Sequence, residues 1–195
     1  MRLLLALALV VLSPSLAFAH TGVEHGSGFL HGLEHPIGGL DHVLAMVAVG
    51  VLAFVLGGRA SILVPLAFVG MMVGGFLLGA GQVSLPLVEV GIAASSLVIG
   101  AVAARGKAMP VAAAMALVGA FALFHGHAHG AEMPADASGL GYASGFVLAT
   151  ALLHAAGIGA SVIAARSLGR HGALAARIAG GAFALGGAGM LAGWL

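Results

Sequence analysis

The sequence predicts an all-α fold: a polytopic transmembrane helix bundle of six spans following a cleaved signal peptide. Three observations predict it. The chain is 61% hydrophobic and 7% charged, far from the roughly 25% charged residues of an ordinary soluble domain. Apolar stretches long enough to cross a bilayer recur along it, and the segments between them are short and marked by glycine and basic residues. With 195 residues and no polar block able to build its own core, residues 20–195 are expected to form one domain. The near-neutral charge, +1 at pH 7, and the lack of a basic block exclude a nucleic-acid partner. Cysteine is absent, which excludes disulfides, redox CxxC pairs and thiolate metal sites. Any metal must be held by nitrogen and oxygen.

Residues 1–19 read as a secretory signal. Arg2 opens it, LLLALALVVL is its apolar region, and Ala17-Phe18-Ala19 supplies the A-x-A cleavage pattern. Its apolar run is short for a span and Ser13-Pro14-Ser15 interrupts it. A polar, histidine-bearing segment, 20–36, follows. Spans are then expected at about 36–56, 61–80, 84–104, 110–126, 139–165 and 172–194, judged against the roughly 17 to 25 residues that a crossing needs.

Cytoplasmic loops should hold the lysines and arginines. Arg59 falls between the first and second spans, Arg105 and Lys107 between the third and fourth, and Arg166, Arg170 and Arg177 around the junction of the last two. The opposite side receives most of the acids and histidines. With a cleaved signal, this gives an inner-membrane protein of a bacterium with both termini and its histidine-rich face in the periplasm. Glycines such as Gly70, Gly74, Gly180 and Gly187 let helices approach closely in lipid. They serve packing within one chain or, alternatively, a homo-oligomer.

Ionisable groups are costly inside a bilayer, about 2.5 to 3.5 kcal/mol for Asp, Arg or Lys at a helix centre, so those present call for a reason. Asp41 and His42 stand side by side in HPIGGLDHVLAMVAVG; Pro36 and the glycines allow an irregular helix start that folds His35 back toward them. Glu89 enters the third span at a similar depth. His125, His127 and His129 alternate in FHGHAHG, where a flexible loop is expected to present them for cation capture. His154 lies about fifteen residues into the fifth span, roughly 22 Å along it. Each has a plain structural reading, a cap, a hydrogen-bonded core group or a polar connection. Taken together on one axis, they point to a path for a metal ion. Imidazole and carboxylate without sulfur suit Ni2+, Co2+ or Zn2+ and argue against Mg2+ and Ca2+. The alternative from another class is an intramembrane zinc-dependent hydrolase, with Asp41, His42, His125 and Glu89 supplying ligands and a base. No GxxxxGK[ST] phosphate loop is present.

The segments HPIGGLDHVLAMVAVG, VEVGIAASSLVIG, FALFHGHAHGAEMP and GFVLATALLHAAGI closely resemble the HupE/UreJ family of bacterial membrane proteins, over nearly the whole mature chain. The resemblance implies uptake of nickel, or of nickel and cobalt, in support of hydrogenase or urease maturation, with no enzymatic activity. It also implies metal roles for His35, Asp41, His42, Glu89, His125 and His129.

Overall fold

The computed structural model describes residues 28–195; the expected signal peptide lies outside the described residues. Seven α-helices account for most of the rest: α1 Gly28–Gly38, α2 Leu40–Leu56, α3 Ala60–Ala80, α4 Val88–Arg105, α5 Val111–Ala131, α6 Gly139–Leu168 and α7 Gly172–Leu191. No strand occurs among the described residues. Among the described residues, four helical runs are long and apolar enough to cross a membrane, Ala60–Ala80, Val88–Arg105, Val111–Ala131 and Gly139–Leu191; α1 and α2 taken as one broken span make five. The chain is a multi-pass membrane protein. The last of these runs holds both the fifth and the sixth expected spans, α6 and α7, with the 3-10 turn Gly169–His171 between them. Gly172 packs against the backbone of Ala164 and Ala165, so the chain turns back on itself there.

Two expectations are corrected. The segment before Pro36 is helical from Gly28 onward. It meets α2 at a bend of 81°, where Gly39 is extended, with φ −97° and ψ 120°. Proline removes one helical N–H and glycine tolerates the break. The second correction concerns FHGHAHG, which is not a flexible loop: α5 continues through it to Ala131. Glycines that would weaken an exposed helix here face other helices, and tertiary packing outweighs propensity.

α2 is the central helix. His42, Ala45, Met46 and most of the run Ala48 to Ala53 are buried, against α6, α4, α7 and α3. The main pairs join through glycine. Gly126 and Gly130 on α5 lie against the backbones of Met72 and Phe76, while Gly75 and Gly79 on α3 lie against Leu123 and His127. Gly50 and Gly157 mate α2 with α6, Gly32 and Gly145 mate α1 with α6, and Gly100, Gly180 and Gly187 mate α4 with α7. This is packing within one chain. Gly70 and Gly74, in contrast, have open space where a Cβ would sit. Arg177 at the start of α7 donates from Nε to the Ala104 carbonyl, 2.9 Å away, which ties two of the basic junctions together at one end of the bundle.

A methyl group at Gly126 must push α3 and α5 apart, and overpacking of this kind costs about 1–3 kcal/mol. Gly126→Ala is therefore expected to lower the thermal unfolding temperature of the detergent-solubilised protein, with Gly70→Ala leaving it unchanged or slightly raised.

Candidate metal path

A cavity of about 610 Å³ opens at the end of the bundle opposite the basic junctions, and His31, Glu34, His35, Asp41, His42, Glu89, Glu132 and Tyr142 are among its lining residues. The broken helix creates it. Because α1 turns 81° from α2, His35 comes back over His42, with ring centroids 6.1 Å apart. Glu89 lies in the first turn of α4, after Leu87, whose left-handed φ of 59° redirects the chain into that helix. A left-handed non-glycine residue costs about 1–2 kcal/mol. It is spent where the chain must turn Glu89 toward the cavity rim.

The continuous helix α5 changes the part played by its histidines. His125 and His129 are one turn apart, share a face and are fully buried. His127 points elsewhere: its Nε2 lies 2.7 Å from the Val83 carbonyl, so it donates to the turn between α3 and α4 and does not line the cavity.

From the cavity inward, the imidazoles form a ladder. Ring centroids are 4.9 Å apart for His35 and His129, 5.0 Å for His129 and His42, and 4.8 Å for His42 and His125. The Phe68 ring follows, 5.6 Å from His125 and 5.1 Å from His154. The Phe68 ring thus packs against both His125 and His154. Along the ladder, His42 Nε2, His125 Nδ1 and both ring nitrogens of His129 and of His154 are buried without a hydrogen-bond partner. Unpartnered buried polar atoms are few in native proteins, and a run of basic nitrogens of this kind suits a passing cation.

Asp41 acts partly on its neighbour. Its Oδ1 accepts from the His42 backbone N–H at 2.8 Å and lies 3.0 Å from His42 Nδ1. A carboxylate only accepts, so the proton sits on Nδ1 and leaves Nε2 bare. One carboxylate thus satisfies a free N–H in the first turn of α2 and orients the ring beside it. Glu132 stands in the same relation to His35, with Oε2 3.1 Å from Nε2. Among the described residues, no three His, Asp or Glu side chains are already gathered closely enough to hold one ion.

Sequence reasoning missed Glu132, Phe68, and His31 and Glu34 at the cavity mouth. Glu132 could have been found as the third residue after His129, on the helix face that also carries His125. His31, Glu34 and His35 show the three-and-four spacing of one helix face, which stayed hidden while that segment was read as non-helical. Phe68 carries no signal in an apolar span.

The chain matches the family described as HupE / UreJ protein over residues 7–190. It belongs to the HupE/UreJ family. A curated relative, Protein HupE of Rhizobium leguminosarum bv. viciae, is 48% identical over 180 residues, covering 92% of each chain. No solved structure matches. HupE/UreJ proteins are accessory membrane transport proteins rather than enzymes, associated with nickel and cobalt transport for hydrogenase and urease. Membership in that family leaves the zinc-hydrolase alternative without support.

His127→Ala should cost about 1 kcal/mol of stability, the usual net worth of a hydrogen bond, and leave nickel affinity unchanged. Thermal unfolding and calorimetric nickel titration of the same purified variant check both halves.

Proposed function

We propose that this protein is a permease that moves a divalent transition-metal ion, nickel first and cobalt or zinc next, from periplasm to cytoplasm for hydrogenase or urease maturation. The observation that carries the reading is the buried ladder of imidazoles, with unpartnered nitrogens, leading inward from an acid-rimmed cavity. Neutral imidazole is the donor these ions prefer among non-sulfur ligands. Asp41, Glu89 and Glu132 draw the dication to the mouth. His35, His129, His42 and His125 replace its water in steps, and His154 receives it beyond Phe68. Conduction needs each site to bind well enough to admit the ion and weakly enough to release it. Donors spaced as a ladder meet that need better than one closed chelate.

In this reading α1 and α2 together make the first crossing, and α6 and α7 make two more, giving six. The cavity faces the periplasm because the arginines and lysine gather at the other end. In this reading the signal is cleaved after Ala19 and both termini lie in the periplasm. An inside-negative potential supplies about 2.3 kcal/mol per charge per 100 mV, doubled for a dication, so inward movement requires no nucleotide.

Radiolabelled nickel accumulation in cells lacking other nickel importers tests the proposal. Wild type should restore uptake, Asp41→Ala should abolish it without loss of membrane insertion, and Glu89→Gln should weaken it, since the amide keeps hydrogen bonding and loses the charge. His154→Ala should lower the maximal rate even at saturating nickel. Normal accumulation with Asp41→Ala, or His154→Ala matching wild type at every concentration, would sink the path described here.

A further inference from the structure

Ser95 lies on α4 and is completely buried. Its Oγ is 2.5 Å from the Ile92 carbonyl oxygen and 2.9 Å from Nε2 of His125. A serine hydroxyl has one hydrogen, and a carbonyl can only accept. The hydrogen therefore lies between Ser95 and Ile92, and the hydroxyl turns its lone pairs toward the imidazole. Two facing lone pairs would repel, so Nε2 of His125 carries the proton. Neutral imidazole has one N–H, which leaves Nδ1 of His125 bare.

The consequence reaches His42. Its Nδ1 proton is held by Asp41, so its bare nitrogen is Nε2. Both bare nitrogens, His42 Nε2 and His125 Nδ1, are buried and unpartnered, in rings 4.8 Å apart and almost perpendicular, at 89°. With the other tautomer of His125, an N–H would stand in the place of one of those lone pairs and oppose a cation. The oxygen that decides between the two arrangements belongs to Ser95.

We propose that Ser95 is a positioning residue for metal transport: by accepting the Nε2 proton of His125, it fixes the tautomer whose free Nδ1 forms, with Nε2 of His42, a pair of metal donors in the interior of the bundle. The inference rests on the transport reading above. It adds to the charged residues a neutral hydroxyl that touches no ion. Oxygen partners of this kind fix ring orientation at metal sites, and their loss typically costs 10–100-fold in affinity.

The test joins a spectroscopic and a kinetic readout. Full-length protein labelled with 15N-histidine, metal-free in lipid nanodiscs, reports each tautomer through two-bond 1H–15N couplings, and His125→Ala assigns the His125 signals. Wild type should show His125 protonated on Nε2, and Ser95→Ala should show a mixture of tautomers. In radiolabelled nickel uptake, Ser95→Ala should raise the half-saturating concentration by about 10–100-fold and change the maximal rate less. His125 protonated on Nδ1 in wild type would overturn the inference, and so would a Ser95→Ala variant with an unaltered half-saturating concentration. If Ser95→Ala fails to insert, the wild-type tautomer alone decides. Absence of nickel uptake by wild type would instead strike the transport reading, with the tautomer spectrum still judging what Ser95 does to His125.

Discussion

Contact between helix backbones at glycine is the constraint on which the other features depend. Gly50 meets the carbonyl of His154, Gly126 meets that of Met72, and Gly32 meets that of Tyr142. Glycine contacts dock α5 on α3 and both α1 and α2 on α6, and these dockings set the frame within which the histidines of the four helices face one another. In lipid, burial of apolar surface gives helices little reason to associate, and close van der Waals packing takes over. Within that frame the neighbouring rings of the upper ladder span the gap between α5 and the broken helix, 4.8 to 5.0 Å apart. Packing and path are one arrangement.

Electrostatics then decides which nitrogens are free. A carboxylate inside an apolar bundle is costly unless it is paired and hydrogen-bonded. Asp41 meets that demand locally, through the backbone and the ring of the residue beside it. Glu132 does so at the rim with His35, and Ser95 does so in the core without any charge. Each oxygen fixes one proton of an imidazole and so exposes the other nitrogen. On the proposed path, the acids and the serine would act on a cation largely through the histidines they orient.

Much of this was legible in the sequence. The excess of apolar residues and the six stretches announced a helical membrane bundle, and Pro36 with the glycines after it announced an irregular helix start, which the structure renders as a sharp bend that returns His35 to His42. Other parts were hidden for identifiable reasons. FHGHAHG reads as a loop because glycine and histidine are poor helix formers, yet its glycines are the contact points with α3 and carry the helix onward. That error misplaced His125 and His129 as loop groups, and it gave His127 the same role as its neighbours, although helical geometry sends it to the opposite face. Phe68 and Ser95 were invisible because an aromatic or a small hydroxyl residue in an apolar span is ordinary until its partner is known.

Phe68 shows how the ladder differs from a storage site. The rings of His42 and His125 meet directly, and the Phe68 ring packs against both His125 and His154. On the proposed path, an ion passing from His125 to His154 would move along the Phe68 ring, whose face offers only the weaker attraction of its quadrupole. In that reading the steepest step would lie beside Phe68, in the interior of the bundle, and the bare nitrogens of His42 and His125 would bring a dehydrated ion to it. His154, buried with both ring nitrogens unpartnered, would offer the next donor there, so that the ion would not face the rest of the bundle without a ligand.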